Sequence, residues 1–332
     1  MLDNKTVLLT GGTGSFGKKF TDRVFKKYEP KKIIVYSRDE YKHYVMKQLF
    51  KEYKDKIRFF IGDVRDKERL ERAFDDVDYV VHAAALKQVP LCEYNPFEAV
   101  KTNIHGAQNI VQAAIDNGVK KVVALSTDKA VNPINLYGAT KMVSDKVFVS
   151  ANAYAGGKDT VLSVVRYGNV AGSRGSVIPF FKMMLDKGEI TLPITDNRMT
   201  RFWITLDEAV DLVFKALNES KGGETYISKI PSFTVTDLAQ AMNPEGRTKE
   251  IGIREGEKLH EVMVTKYDSM HTYEYDDHYI IYPHFDWWDF EAHFTQGGVE
   301  VPEFFTYSSD TNNQWLSVEE IRERIADINI SY

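Results

Sequence analysis

Residues 6–9, Thr-Val-Leu-Leu, run straight into Thr10-Gly11-Gly12-Thr13-Gly14-Ser15-Phe16-Gly17, and helical spacing begins at Lys18. A buried strand that must turn at once into a helix leaves few folds open. In such a turn Gly11 permits the tight reversal, Gly14 lets backbone approach a pyrophosphate, and Gly17 lets helix and strand close together. Thr13, Ser15 and Phe16 complete a loop whose free N–H groups, at the start of the helix, face phosphate. The first half then repeats the theme. Short apolar runs at 33–36, 58–61, 79–84, 121–126 and 161–165 alternate with helical segments such as 96–117, where Val100, Ile104, Ile110, Val111 and Ala114 share a face. Runs this short and rich in Val and Ile suit strands buried on both faces. The alternation predicts an α/β chain with right-handed βαβ crossovers, a Rossmann-like doubly wound parallel sheet.

After Arg166 the rhythm breaks at Gly168, Gly172, Gly175 and Pro179, and 271–307 is dense in aromatics and acids. With 332 residues there is room for two domains at about 150 residues each. The expected division is a dinucleotide-binding domain over 1–166, with sheet contributions from later segments, and a smaller substrate-binding lobe with a C-terminal extension over 167–332. Lys and Arg total 43 against 48 Asp and Glu, a net charge of −5, which is not the footprint of a nucleic-acid binder. The single cysteine, Cys92, excludes an intrachain disulfide, suits a reducing compartment and reads as an inert thiol. No apolar run approaches the roughly eighteen residues of a membrane span, and the first residues lack signal-peptide architecture. The expectation is a soluble, cytoplasmic protein that binds neither nucleic acid nor membrane.

The second strand ends in Tyr36-Ser37-Arg38-Asp39-Glu40, with Lys42 following. An NAD site usually places an acid here for the ribose 2′-OH. Ser37, Arg38 and Lys42 instead offer groups for a 2′-phosphate, which favours NADP; Asp39 and Glu40 compete, since a one-residue register change restores an acid. Asp63 after the third strand can accept from the adenine amine, with Val64 beside it, and Ala83 and Ala84 supply small residues after the fourth.

The fifth strand leads into Ser126-Thr127-Asp128-Lys129, and a helix opens near Tyr137-Gly138-Ala139-Thr140-Lys141. Tyr137 and Lys141, spaced i, i+4, share one face. A lysine ammonium beside a phenol lowers its pKa, and such a tyrosine can take a hydroxyl proton as hydride leaves for the cofactor.

These motifs resemble the extended short-chain dehydrogenase/reductase family: TGGTGSFG at 10–17, the helix carrying Asn103, and YGATK at 137–141. Longer blocks, HAAALKQVP at 82–90, EYNPFEAVKTN at 93–103, STDKAVNPINLYGATK at 126–141, RYGNVAGSRGSVIPFF at 166–181, TDNRMTRFWIT at 195–205, GIREGEKLHEVM at 252–263 and SSDTNNQWLSVEEIRE near the C-terminus, look like its inverting UDP-N-acetylglucosamine 4,6-dehydratases. The resemblance implies oxidation at C4, loss of water across C5–C6 and return of the hydride to C6. It assigns Asp128 as acid at O6 and Lys129 as base at C5, where related dTDP-glucose dehydratases carry Thr-Asp-Glu; a neutral Lys129 requires that Lys141 and the oxidised nicotinamide depress its pKa. It places Asn103 and Lys87 by the cofactor, Lys87 also near the sugar, Asn169 near the diphosphate, and Arg201, Arg254 and Glu257 around the UDP. It further implies a homo-oligomer, hexameric in relatives, and a product, UDP-2-acetamido-2,6-dideoxy-β-L-arabino-hexos-4-ulose, used in pseudaminic-acid-type glycans. A nucleotide-sugar 4-epimerase, which needs Tyr137 and Lys141 but not Asp128 and Lys129, a retaining 4,6-dehydratase and a silent NADP-binding sensor are the alternatives. No metal is expected, because His271, His278, His284 and His293 lack compact ligand spacing. Met183 and Met184 read as core or lid residues.

Overall fold

The computed structural model describes residues 1–156, 158–173 and 175–328, so the last four residues of the expected second lobe lie outside the described residues. Six strands, β1 (Thr6–Thr10), β2 (Lys32–Ser37), β3 (Ile57–Ile61), β4 (Tyr79–His82), β5 (Lys121–Leu125) and β6 (Val161–Arg166), pair in parallel in the order β3-β2-β1-β4-β5-β6. Every residue of β1 is buried. The helices Ser15–Lys27 and Leu206–Glu219 cover one face through Phe20, Val24, Val213 and Leu217. Lys67–Ala73, Gly106–Asp116 and Leu136–Ala151 cover the other through Leu70, Ile110 and Phe148. Burial on both faces is why these strands read as unbroken apolar runs.

Two expectations change. The first helix starts at Ser15, earlier than Lys18, because Gly14 already caps it. The segment 96–117 is not one regular helix: Pro96–Val100 and Gly106–Asp116 flank a π turn, Lys101–His105, that contains Asn103. Such turns interrupt helices where a side chain has a special task.

Part of the aromatic stretch after 271 adds strands to the main sheet. Thr225–Ser228 extends the sheet in parallel beside β6, and His278–Ile281, Thr272–Glu274 and Val299–Glu300 follow antiparallel, making ten strands. The smaller lobe is built from the helices Val177–Asp186, Val235–Met242 and Val318–Ala326 and short strands, including Thr200–Ile204. Its own core holds Ile178, Phe181, Trp203, Phe233, Leu238 and Ile321, with Met184 packed against it and Met183 exposed.

Candidate active site

β1 lies between β2 and β4, and the chain crosses to opposite sides of β1 at this point, so a crevice opens beyond the carboxyl ends of β1 and β4. Gly11 sits at φ +63°, and a Cβ there would stand 2.9 Å from the Ala84 nitrogen, so the two strand ends nearly touch. A Cβ on Gly17 would fall 2.1 Å from the Gly12 carbonyl oxygen. The helix from Ser15 has no side-chain cap, which leaves its first N–H groups to meet an anion. Thr13 and Ser37 exchange a hydroxyl hydrogen bond at 2.9 Å, Ser15 is exposed, and Phe16 stacks on Phe20. This cradle fits a dinucleotide.

At the end of β2, Asp39 accepts from the Lys42 backbone N–H, capping the next helix, and its carboxylate pairs with Lys42 Nζ at 2.7 Å. That ties up both the competing acid and the expected phosphate ligand Lys42. Arg38 remains half exposed, 3.5 Å from Asp63. Asp63 is gripped by Arg65 at 2.7 and 3.0 Å; burial raises its pKa, but Arg65 and Arg38 outweigh that and keep it a carboxylate. Val64 is buried beside Gly106, and Ala83 and Ala84 are half-buried at the crevice. Lys87 is exposed at the rim. The Asn103 amide is buried and engaged within the chain: its Oδ1 accepts from Leu86 N, and its Nδ2 donates to Leu86 O and Thr140 Oγ1. It is a brace between the loop after β4 and the Tyr137 helix.

Thr127 ends the loop after β5 and caps the single turn Asp128–Ala130. Its hydroxyl donates to Asp128 Oδ1 at 2.8 Å, and Lys129 Nζ reaches the same oxygen at 3.1 Å and Asn169 Oδ1 at 3.1 Å. Asp128 is fully buried, and its Oδ2 has no hydrogen-bond partner. Asn135 caps the Leu136–Ala151 helix and also donates to the Gly256 carbonyl, which ties the helix start to the second half of the chain. A Cβ on Gly138 would lie 2.1 Å from the Lys129 carbonyl oxygen, so only glycine lets the helix close on the strand end.

The electrostatics correct two expectations. Burial pushes the Tyr137 phenol up to about 12; the groups that pull it back are Lys129 and a hydrogen bond with Thr127, not Lys141. Burial opposes charge on Lys129 as well, but Asp128 and Glu261, whose Oε1 lies 3.4 Å from Nζ, more than offset it and hold Lys129 as an ammonium above the ordinary lysine range. It is therefore not depressed by Lys141. Lys141 is buried and pulled down by that burial, with Asp145 opposing. Asp145 also accepts from Ser126 Oγ at 2.6 Å and faces Arg166 at 3.9 Å. His82, behind it, is driven down to about 3 by burial and by Lys141.

Asn169 belongs to the Lys129 cluster. The Arg201 guanidinium donates to the Thr200, Leu259 and Lys258 carbonyls and lies 3.7 Å from Glu261. Arg254 is exposed and 3.9 Å from Glu257, whose Oε2 is buried without a partner. Cys92 is buried and its thiol raised by that burial. No group of three or more metal-ligating side chains occurs among the described residues, and no helix among them is long and apolar enough to cross a membrane. Glu261, Asp145 and His82 were not among the expected site residues. Glu261 does stand in the block 252–263, but nothing local distinguishes it from its neighbours Glu255 and Glu257.

The chain is 54% identical over 330 residues, 98% of each chain, to the UDP-N-acetylglucosamine 4,6-dehydratase (inverting) of Campylobacter jejuni strain 81-176. Among solved structures it is similar to Pen from Bacillus thuringiensis, 38% identical with TM-score 0.88 over 98% of this chain and 99% of that one. It also superposes on DesIV, a dTDP-glucose 4,6-dehydratase from Streptomyces venezuelae solved with NAD and TYD bound, at 26% identity and TM-score 0.69, covering 76% and 86% of the two chains. Residues 7–283 match the family described as Polysaccharide biosynthesis protein. The chain belongs to that family, within the extended short-chain dehydrogenases/reductases.

Proposed function

We propose that this protein is an NADP-dependent UDP-N-acetylglucosamine 4,6-dehydratase that inverts C5. The observation that carries the reading is the cluster at the end of β5, where Tyr137, Thr127, Asp128, Lys129 and Asn169 converge and the buried Asp128 Oδ2 is left unpartnered. A buried carboxylate oxygen without a partner is costly unless it carries a proton, and a proton on Asp128 is what departure of O6 requires. An epimerase has no use for that acid beside a lysine; an elimination across C5–C6 needs both. The name of the Campylobacter jejuni relative supports the same chemistry.

In this reading a nicotinamide dinucleotide, when bound, would supply the capacity to take hydride from C4 and return it to C6. Tyr137 takes the O4 proton, with the Lys129 ammonium and Thr127 favouring its phenolate. Lys129 passes a proton to the Asp128 carboxylate 3.1 Å away; the acid so formed gives that proton to the leaving O6, the neutral amine takes the C5 proton, and a proton returns to C5 as hydride returns to C6. Gly11, Thr13, Gly14, Ser15, Phe16 and Gly17 hold the pyrophosphate, and Ser37 and Arg38 hold the 2′-phosphate. NADP is favoured over NAD because Asp39 is committed to capping a helix and pairing Lys42. Lys87, Arg254 and Glu257 flank the substrate at the rim. Assembly as a homo-oligomer, a cytoplasmic location and entry of the product into pseudaminic-acid-type glycans are parts of the same proposal; sedimentation tests the first.

Incubation with UDP-N-acetylglucosamine in deuterium oxide, followed by NMR from the first minutes, tests the activity. The expected product carries one solvent deuterium at C5 with L-arabino couplings. An initial D-xylo product makes the enzyme retaining, and a C4 epimer without dehydration makes it an epimerase.

A further inference from the structure

Glu261 is two per cent exposed and lies at the centre of three cations. Its Oε1 is 3.4 Å from Lys129 Nζ and 3.7 Å from Arg201 Nε, and its Oε2 is 4.0 Å from Lys258 Nζ with no hydrogen-bond partner. The backbone on either side is pinned. Glu261 N–H donates to Ser309 Oγ at 2.9 Å, Ser309 N–H donates to the Glu261 carbonyl at 2.8 Å, and Val262–Val264 pairs with Tyr307–Ser308. A carboxylate buried this deeply is retained only where paired cations stabilise it, and the strand pairing gives it little freedom to follow them. Three cations share two carboxylates here, Glu261 and Asp128, so Lys129 competes with Arg201 and Lys258 for its counter-charge.

We propose that Glu261 is a positioning residue of the active site: with Asp128 it holds and aims the Lys129 ammonium, and so sets the pH at which that lysine can act as a base. The role of Lys129 as base rests on the function proposed above; the hold of Glu261 on Lys129 does not. The groups facing Lys129 come from every element around it: Asp128 on its own turn, Tyr137 on the following helix, Asn169 and Arg201 on neighbouring strands, and Glu261 with Lys258 from the segment before Val262. Asp128 and Glu261 favour the charged amine, while Arg201 and burial disfavour it. Asp128 must also serve O6 during turnover, which leaves Glu261 as the carboxylate free to keep Lys129 in place throughout.

The test labels the amine directly. About a quarter of the Lys129 side chain is exposed, so acetic anhydride can reach it, and mass spectrometry of its peptide gives the pH at which acetylation sets in. Glu261→Gln keeps the volume and removes the charge, so labelling of Lys129 should begin about one to two pH units lower than in the parent protein. Arg201→Gln should move the onset the other way, and Glu261→Asp, which keeps the charge, should stay near the parent. The alkaline limb of kcat should follow the same order. An unchanged onset in folded Glu261→Gln, or shifts of the same sign in the two Gln variants, overturns the proposal. If Glu261→Gln does not fold, the Arg201→Gln and Glu261→Asp onsets decide it: upward and unchanged support it, any other pair refutes it. Shifted labelling in a protein that does not dehydrate UDP-N-acetylglucosamine would sink the function and leave the role of Glu261 standing.

Discussion

At the carboxyl ends of β1 and β5, side chains reach the crevice because their immediate neighbours put them there; around Glu261 nothing local does. Gly11, Gly14 and Gly17 are turned toward the crevice by a strand-turn-helix reversal, and Tyr137 by an Asn135 cap and a glycine after it. Arg201, Lys258 and Glu261 instead meet because distant strands pair, and they spend most of their polar atoms on one another and on carbonyls. The first region is built to receive a ligand. The second is built to hold charge, and its contribution to the first passes through Lys129.

The sharpest way to break this division is at Tyr137. Tyr137→Phe removes a phenol that is hydrogen-bonded to Thr127 and feels the Lys129 charge, so turnover should fall by about 10²- to 10⁴-fold while the nucleotide stays bound. Product formation by NMR and copurified nucleotide by absorbance check both halves. Turnover within tenfold of the parent would remove Tyr137 from the chemistry.

Two glycines separate binding from alignment. In Gly17→Ala the new Cβ meets the Gly12 backbone at 2.1 Å, so nucleotide affinity should collapse, together with activity. In Gly138→Ala the Cβ meets the Lys129 carbonyl at 2.1 Å, so nucleotide should remain while the Lys129 end is displaced. A displacement of about 1 Å costs on the order of 10²-fold in rate. Equal loss of nucleotide in both variants, measured by titration calorimetry, would show that the two loops are one unit.

The same contrast explains what could be read from the sequence. The doubly wound sheet, the nucleotide turn and the Tyr137–Lys141 spacing were legible because short-range pattern determines them, whereas Thr127, Asp128 and Lys129 stood out only through the family resemblance. What each group does electrically was not legible. The i, i+4 spacing puts Lys141 on the Tyr137 face, yet Asp145 and burial claim it, and Lys129 becomes the cation that acts on the phenol. Resemblance alone places Arg201 around the UDP; its contacts with the Leu259 and Lys258 carbonyls, made from a strand, Thr200–Ile204, that pairs with Ser232–Thr234, are long-range and show in no local spacing. The aromatic run after 271 joined the main sheet because Thr225–Ser228 offered it an open edge.

A smaller effect is expected at the adenosine end. Arg38→Asp replaces a cation next to Asp63 with a second acid, so preference for NADP over NAD should fall by about tenfold to a hundredfold, the worth of a charge-assisted contact of roughly 1.5–3 kcal/mol. Binding of both dinucleotides, measured by fluorescence quenching, gives the ratio. An unchanged ratio would return the choice to Lys42 and Ser37.

The smallest effect lies in stability, and it compares a histidine on a central strand with one near the far end of the sheet. His82 is buried beside Thr10 and Lys141 and stays neutral in the folded protein down to about pH 3, whereas an unfolded histidine gains a proton near pH 6.5. Below pH 6.5 the unfolded state therefore binds more protons than the folded state, and stability falls as pH falls toward 3. From this one residue the loss at pH 5 is roughly 2 kcal/mol. His271 stacks on His284 toward the far end; burial and that neighbour lower it too, but it is only partly buried. Urea denaturation of His82→Gln and His271→Gln at pH 7.5 and pH 5 separates the two. The acid loss should shrink clearly in His82→Gln and little in His271→Gln. If both variants keep the full acid loss of the parent, neither histidine is responsible; buried Asp145, raised by desolvation, takes up its proton more readily in the folded state and acts in the opposite sense.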